Sequence, residues 1–452
     1  MILKRKIYDE LLKWKNEEKG TKALLIEGAR RIGKSTICRE FGKNEYKSYI
    51  EINFTKAREE VKEYFYNYLE NLDDLFMLLA NYYGITLYER ETLFIFDEVQ
   101  AFPKAREAIK FLVEDGRYDY LETGSLISIR ENVEDIVIPS EERQIKMYPL
   151  DFEEFANALG ESMLISYIKK CFEDKKPLDR LLHNKAMFLF NQYILVGGMP
   201  KVVSSFLENN KQFEEADKEK RDILNLYRND IMKIKSRYKG KVLAIFDELP
   251  GFLSKHEKRV IFSDIQKGSY GEQYKDTFFW LKDSMIANEC FRRTDPNVGF
   301  SLNLDSSCVK CYLGDTGLLV SHTFDENRLI SEGVYSNILN GKLSINEGMF
   351  YENVIAQMLV ANGHRLFFYT KYNNEAKRND IEIDFLISTD KVNPRISPIE
   401  VKSGERYTHK SISKFIEKYK DRINNAYIIH PRNLVVHDGL ICIPPYMTIC
   451  LK

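Results

Sequence analysis

Short apolar runs alternate with stretches of helical spacing along the first third of the chain. Apolar runs that predict buried strands cover residues 23–27 and 93–96, and residues 49–54 and 118–123 are predicted as two further strands. Apolar positions three and four residues apart predict helices over residues 7–18, 35–41, 55–82 and 104–114. Because parallel strands need crossover connections, this alternation predicts an α/β fold with a parallel sheet and helices on both faces.

The pattern becomes helical and polar from residue 149 to about residue 235, and a turn is forced at Gly197-Gly198-Met199-Pro200. We interpret this stretch as a helical lid. Residues 241–320 then carry three short helical patterns, the last near 277–291, followed by segments at 297–303 and 309–313. That order resembles a winged helix.

The last part of the chain returns to mixed helix and strand patterns. A polar, turn-rich stretch at 322–342 predicts a linker. Helical spacing follows at 346–361, and the remainder alternates strands with one helix near 409–420. We therefore expect a separate α/β module at the C-terminal end.

Composition places the chain among large folded proteins. Its 452 residues exceed one ordinary core, and 44% hydrophobic residues supply material for several packed domains. The formal net charge of -1 gives no global basic field, so any contact with nucleic acid has to come from a local patch. Seven scattered cysteines form no evident disulfide framework, and no apolar run approaches about 18 residues. We therefore expect a cytoplasmic protein without a membrane segment.

The first chemical motif lies between the first predicted strand and the helix after it. Gly28-Ala29-Arg30-Arg31-Ile32-Gly33-Lys34-Ser35 matches G-x-x-x-x-G-K-[ST], whose glycines let backbone N–H groups surround phosphates. Lys34 supplies a cation for the β- and γ-phosphates, and Ser35 is the expected Mg²⁺ ligand. A plain glycine turn is the alternative, but it has no need for Lys34. The residues predicted to bind the nucleotide are Gly28, Arg30, Arg31, Ile32, Gly33, Lys34, Ser35 and Thr36.

An acidic pair ends the strand predicted at 93–96. Asp97 emerges at the carboxyl end of that strand, where open α/β sheets bind ligands, and is the expected second Mg²⁺ anchor. Glu98 follows it, and a carboxylate there orients or deprotonates the water that attacks the γ-phosphate. Taken alone, the pair is also compatible with an ordinary strand end. Together with the phosphate-binding motif at 28–35, which is a P-loop, the acidic pair favours hydrolysis over binding alone.

Four more residues are candidates for the nucleotide site, each with a structural alternative, which is the favoured interpretation for the two arginines. Thr123 and Ser125 come at the end of the next strand, and they either sense the γ-phosphate or form a plain turn. Arg117 and Arg143 are candidates for an arginine that stabilises the transition state, and surface ion pairs are the alternative.

Several segments resemble a known protein family. Residues 25–35, 93–100, 118–128 and 139–155 are similar to the prokaryotic P-loop ATPases of the extended AAA-like group that carry a C-terminal domain of unknown function. Residues 193–203 and 310–319 look like two further family signatures. The resemblance spans nearly the whole chain and implies ATP as the nucleotide. It implies a P-loop ATPase core at 1–155, a helical lid at 156–238, a winged-helix-like segment at 239–322 and a restriction-endonuclease-like domain at 340–452.

The C-terminal module carries a second acidic constellation. Glu400 and Lys402 share one face of a strand, because strand side chains alternate, and Asp384 lies 16 positions (400 − 384) before Glu400. This D…E-x-K arrangement resembles that of PD-(D/E)XK nucleases, where Asp384 and Glu400 would hold Mg²⁺ and Lys402 would activate a water. Glu352, in the helix at 346–361, fits the acidic helix residue of that fold. The alternative is a fold retained for packing or DNA binding, with Glu400 and Lys402 as an ion pair.

The leading hypothesis is an ATP-hydrolysing switch or motor coupled to a nuclease-like module directed at nucleic acid. Its rival is a non-catalytic scaffold or signalling ATPase whose C-terminal domain only binds DNA or a protein. DNA and a second copy of the chain therefore stay open as partners. Lys282, Arg292 and Arg293 are candidate phosphate contacts, with a solvated charged face as the alternative. Cys308 and Cys311 have C-x-x-C spacing, but without a second pair we predict buried cysteines rather than a zinc site.

Overall fold

The computed structural model divides into two compact units, Ile2–Tyr148 and Pro149–Lys452. The residues that the structure describes are 2–124, 140–234, 238–255, 257–262, 274–297, 304–324, 330–339, 347–373, 375, 377–388, 395–404 and 407–452. Within those ranges, no helix is both long enough and apolar enough to cross a membrane.

The first unit is a parallel α/β sheet, as the alternation predicts. Its helices are α1 Ile7–Glu18, α2 Lys34–Glu45, α3 Glu59–Asn67, α4 Leu72–Tyr83 and α5 Pro103–Asp115. Its strands are β1 Ala23–Glu27, β2 Ser48–Asn53, β3 Thr92–Asp97, β4 Asp119–Gly124 and β5 Glu142–Lys146. They lie in the order β2-β3-β4-β1-β5, and every neighbouring pair is parallel.

Two details of this unit differ from the sequence expectation. The helix predicted over 55–82 is two helices, since α3 ends at Asn67 and α4 begins after Asn71, whose side chain caps it by accepting the N–H of Asp74. Strand β5 has no apolar run, since it is an edge strand whose residues are partly or fully exposed apart from the side chain of Glu142, which is buried against Arg106. An exposed edge strand leaves no hydrophobic pattern to find.

The core of the first unit has two sides. Side chains such as Leu25, Ile52 and Phe96 form one cluster with α3, α4 and α5. Helix α2 contacts β2 and β3, and its buried Ile37 and Phe41 lie outside that cluster. The sheet is therefore covered by helices on both faces.

The second unit contains more helices and two mixed sheets. Its helices are α6 Phe152–Ala158, α7 Ser162–Glu173, α8 Arg180–Val196, α9 Pro200–Glu208, α10 Phe213–Met232, α11 Lys239–Ser254, α12 Lys275–Asp283, α13 Thr316–Thr323, α14 Glu332–Leu339, α15 Glu347–Ala361 and α16 Lys410–Tyr419. Its strands are β6 Ala287–Arg293, β7 Leu304–Leu313, β8 Leu366–Asn373, β9 Arg378–Ile383, β10 Phe385–Ser388, β11 Ile396–Val401, β12 Ala426–Ile429, β13 Val435–His437 and β14 Leu440–Ile443. They form sheets in the orders β7-β6-β8-β9 and β10-β11-β12-β14-β13.

The helical pattern expected to reach residue 291 stops at Asp283. The following residues are β6, which pairs with β7 and β8. Ala287, Cys290 and Arg293 are its buried positions, so burial recurs every third residue and imitates a helix. Strands β6 and β7, which lie in the predicted winged-helix-like segment, are thus part of one sheet with β8 and β9. The linker expected at 322–342 contains α14, and residues 298–303 lie outside the described ranges.

The two signatures at 197–200 and 314–318 contact each other. Asp315 accepts the N–H of Gly198 at 2.6 Å and that of Leu318 at 2.9 Å. A Cβ on Gly317 would lie 2.2 Å from the carbonyl oxygen of Val196. The predicted turn is present, and the close backbone approach explains the glycines.

Candidate functional site

The loop between β1 and α2 has the shape of a phosphate cradle. Its backbone turns through positive φ angles at Arg31 (70°) and Gly33 (93°), directly before α2 begins at Lys34. A Cβ on Gly28 would lie 2.2 Å from the side chain of Ile32 and 2.6 Å from the carbonyl oxygen of Met147. The loop therefore places N–H groups and the positive end of α2 together, which suits an anion.

Lys34 is buried inside this loop. Its ammonium donates hydrogen bonds to the carbonyl oxygens of Gly28 at 2.7 Å and Ala29 at 3.0 Å. Burial lowers the pKa of Lys34, while the nearby Glu98 and Asp97 act in the opposite direction. A phosphate oxygen in the loop would be an alternative acceptor for the same ammonium.

The carboxylate of Asp97 accepts hydrogen bonds from side chains of three other elements, which are α2, β4 and β2. Its Oδ1 accepts hydrogen bonds of 2.6 Å from the hydroxyls of Ser35 and Thr123. Its Oδ2 accepts one of 2.6 Å from the amide of Asn53. A serine hydroxyl beside a carboxylate is an oxygen donor set that suits Mg²⁺, so the residues present fit this ion.

Glu98 follows Asp97 in a left-handed backbone conformation, with φ of 57°. Its N–H donates to Thr123 Oγ1 at 3.2 Å, and the Gln100 amide donates to its carboxylate. A non-glycine residue in this conformation is uncommon and is held by its surroundings. Glu98 is thus a partly buried residue next to Asp97 in the chain, and its carboxylate is close enough to the Lys34 ammonium to favour the charged form of that lysine.

The remaining candidates for this site differ in the contacts that they make. Thr123 contacts both Asp97 and Glu98, whereas Ser125 lies outside the described residues. Arg117 is paired with Asp115 at 2.8 Å and with Asp73 at 2.6 Å. Arg143 is 3.4 Å from Glu18. Both arginines therefore have the ion pairs that their structural alternative expects.

Arg5 is a member of the site region that sequence reasoning missed. It is buried, and its guanidinium donates to the carbonyl oxygens of Ile32 at 3.0 Å and Tyr148 at 2.5 Å. The first bond fixes the P-loop from outside. Its sequence signal is only a basic residue near the start of the chain, which says nothing of a partner 27 positions away.

The second constellation assembles where β10 and β11 pair antiparallel. Asp384 accepts the N–H of Val401 at 2.9 Å, and the Lys402 ammonium lies 2.6 Å from Glu400. Burial raises the pKa of Glu400 to about 7, although Lys402 opposes the shift. The structure therefore gathers Asp384, Glu400 and Lys402 at one end of these strands.

Glu352 belongs to the same neighbourhood and is already paired. Lys310, on β7, lies 3.0 Å from Glu352 and 3.5 Å from Asp384, and Tyr312 and Lys258 also donate to Glu352. Burial alone would raise the pKa of Glu352, but Lys310 and Lys258 outweigh it and lower the pKa to about 2. Within the described ranges, no group of three or more Asp, Glu, His or Cys side chains has metal-binding geometry.

The residues singled out by the weaker predictions make ordinary structural contacts. Lys282 lies 3.3 Å from Glu289, and Arg292 lies 3.0 Å from Asp305. Arg293 is buried, with its guanidinium 5.0 Å from the centre of the Phe367 ring. The predicted buried cysteines are confirmed, since Cys308 and Cys311 are both buried free thiols.

Comparison with known sequence families divides the chain in three. Residues 20–156 match the AAA domain family. Residues 187–328 and 347–446 match two families described as domains of unknown function, DUF8612 and DUF4143. No curated protein matches the chain. The first match includes the P-loop, Asp97, Glu98 and Thr123.

Solved structures of low sequence identity resemble parts of the chain. A Walker-type ATPase of Pyrococcus abyssi is 16% identical, with a TM-score of 0.41 over 71% of this chain and 96% of its own. The ORC1 protein of Aeropyrum pernix in complex with DNA is 10% identical, with a TM-score of 0.29 over 73% and 94%. AMPPCP-bound DnaA from Aquifex aeolicus is 12% identical, with a TM-score of 0.28 over 62% and 90%.

Proposed function

We propose that residues 20–156, which form an AAA-like P-loop ATPase domain, bind ATP together with Mg²⁺ and hydrolyse it. The observation that carries the proposal is Asp97, whose carboxylate reaches both Ser35 of the P-loop and Thr123, with Glu98 next to it. A site that only bound nucleotide would have no need of a second carboxylate held at this position.

Each residue has a role that follows from its placement. The P-loop N–H groups and Lys34 bind the phosphates, and Ser35 and Asp97 would hold Mg²⁺. The ion would supply positive charge to the β- and γ-phosphate oxygens. Glu98 orients the attacking water and accepts its proton as the water oxygen bonds to the γ-phosphorus and the bond from that phosphorus to ADP breaks.

Steady-state ATP hydrolysis by Lys34→Ala tests this proposal. Lys43→Ala is the matched control, because Lys43 lies on the same helix and pairs with Glu40 at its exposed surface, 3.4 Å away. We expect Lys34→Ala to abolish turnover and Lys43→Ala to retain it. Unchanged turnover in Lys34→Ala would overturn the assignment.

We further propose that nucleotide turnover controls a nucleic-acid-directed activity of the C-terminal region, residues 347–446. Two forms of that activity stay open. Asp384, Glu400 and Lys402 either cut nucleic acid with a bound metal, or the region only binds DNA or a protein partner. The gathering of these three side chains supports the first form, and their existing ion pairs support the second.

Cleavage and binding of plasmid and linear DNA, with and without ATP, separate the two forms. Cutting that requires Mg²⁺ or Mn²⁺ and is lost in Asp384→Ala and Lys402→Ala would establish a nuclease. ATP-dependent retention of uncut DNA, lost in Lys34→Ala, would establish the binding form. No effect of ATP on either readout would contradict the proposed control.

A further inference from the structure

Lys310 lies at the centre of the C-terminal acidic cluster. Its ammonium is 3.0 Å from Glu352 Oε1 and 3.5 Å from Asp384 Oδ1, and its side chain is only 2% exposed. A buried ammonium is costly unless anions surround it, and here two carboxylates do so. Lys310 therefore lies between Asp384, one of the two predicted metal ligands, and Glu352, the acidic helix residue of the nuclease-like fold.

The oxygens of those two carboxylates already have donors. Glu352 Oε1 accepts from Lys310 and from the Tyr312 hydroxyl, and Glu352 Oε2 accepts from Lys258. Asp384 Oδ2 accepts the N–H of Val401 at 2.9 Å, and Oδ1 faces Lys310. A metal at this place would have to displace the donors from both residues.

The third carboxylate is partly engaged as well. Glu400 Oε1 is 2.6 Å from the Lys402 ammonium, while Oε2 is buried with no hydrogen-bond partner among the described residues. One open carboxylate oxygen is a poor site for Mg²⁺, which demands a near-octahedral set of oxygens. The cluster as folded does not fit a divalent metal.

Charge leads to the same conclusion. The ammonium groups of Lys258, Lys310 and Lys402 each pair with a carboxylate of this cluster. A divalent ion between Glu352 and Asp384 would lie within a few ångströms of the Lys310 ammonium, in a buried setting where like charges repel strongly. The attraction between a divalent ion and the two carboxylates would therefore be offset by repulsion from the buried Lys310 ammonium.

We propose that Lys310 is a resident cation which takes the place of a divalent metal between Glu352 and Asp384. The C-terminal cluster is then complete without metal, and this region acts by binding a partner rather than by metal-dependent cleavage. The inference is independent of ATP hydrolysis, because it concerns only residues of the second unit.

Mn²⁺ binding to the full chain without nucleotide tests the proposal. Free Mn²⁺ is counted by electron paramagnetic resonance for the wild type, Asp384→Asn and Glu400→Gln, and Asp97→Asn identifies any ion held at the P-loop. We expect the same number of bound ions in the wild type, Asp384→Asn and Glu400→Gln. A wild type that binds one more Mn²⁺, lost in Asp384→Asn or Glu400→Gln, would overturn the proposal.

Replacement of the lysine gives a second, independent reading. In EDTA we expect Lys310→Met to lower the unfolding temperature by roughly 5–10 °C, because the buried Glu352 and the partly buried Asp384 lose the cation that they share. Mn²⁺ should restore much of this loss in Lys310→Met and leave the wild type unchanged, while Lys310→Arg should retain most of the stability without metal. A Lys310→Met protein that Mn²⁺ does not stabilise would contradict the exchange of lysine for metal. If that variant does not fold, the wild-type Mn²⁺ count still decides.

Discussion

The carboxylate of Asp97 accepts a hydrogen bond of 2.6 Å from the hydroxyl of Ser35, although strand β4 lies between the strands that lead to them. Thr123, at the end of that intervening strand, donates to the same oxygen. Three separate segments of the chain therefore meet at one carboxylate. The site depends on the strand order as much as on the motifs themselves.

Removal of the Thr123 hydroxyl should slow catalysis more than it weakens binding. In Thr123→Val, Asp97 loses one donor and the Glu98 N–H loses its acceptor, so both carboxylates are less well positioned. We expect kcat for ATP hydrolysis to fall about tenfold with little change in ATP affinity. Thr21→Val is the control, because Thr21 bonds only within an exposed turn. Equal kcat in the two variants would contradict this role.

Arg5 should influence nucleotide affinity from outside the pocket. In Arg5→Lys the two-pronged contact with Ile32 and Tyr148 is lost, and the P-loop gains freedom. We expect the Kd for ATP, measured by calorimetry, to rise about tenfold, the equivalent of about 1.4 kcal/mol. Arg39→Lys alters only a partly exposed pair with Glu51 and should leave the Kd unchanged. A wild-type Kd in Arg5→Lys would contradict the role of Arg5 in fixing the P-loop.

The contact between the two glycine signatures should be intolerant of a methyl group. A Cβ at position 317 meets the carbonyl oxygen of Val196 at 2.2 Å, so Gly317→Ala forces two backbones apart. We expect a loss of about 1–3 kcal/mol in the free energy of unfolding. Gly240 lies near the start of α11, and a Cβ added there would meet no neighbouring group within 4 Å. Gly240→Ala should therefore be neutral or slightly stabilising. Similar unfolding midpoints for both variants would contradict the packing described.

His430 should make the second unit sensitive to mild acid. It is buried, and burial, followed by the nearby Arg432, lowers its pKa from 6.5 to about 4. Between these values the unfolded chain binds a proton that the folded chain does not, so stability is lost as the pH falls from 6.5 towards 4. His430 by itself should contribute a loss of about 2 kcal/mol between pH 7 and pH 5, whereas Glu400, whose pKa burial raises to about 7, acts in the opposite direction over this range.

Urea unfolding at the two pH values measures this effect. His430→Asn should be less sensitive to acid than the wild type by that amount, whereas His409→Asn, at an exposed position, should retain the wild-type dependence. An unchanged pH dependence in His430→Asn would show that other groups are responsible.

Much of the first unit is predictable because its physics is local. Central parallel strands are buried on both faces, so β1 and β3 are mainly apolar runs, and the P-loop combines a motif with its strand and helix. Edge strand β5 lacks that pattern, and β6 buries every third residue. Those two strands depend on their neighbours in the sheet, which no local window contains.

The polar partnerships were least accessible to sequence reasoning. Arg5 meets Ile32 across 27 positions, and Lys310 meets Glu352 across 42. Such pairs leave no periodicity, and a lysine within an apolar strand resembles any other lysine. The D…E-x-K spacing identified Asp384, Glu400 and Lys402 but carried no information on the cation already beside them.

Single-turnover hydrolysis of ATP by Glu98→Gln tests the central claim most directly. With the enzyme in excess over radiolabelled ATP and Mg²⁺, we expect phosphate release at least about 100-fold slower than in the wild type, while ATP affinity stays within about twofold. Glu107→Gln, which removes only an exposed pair with Lys104, should behave as the wild type. Wild-type rates of phosphate release in Glu98→Gln would contradict the account.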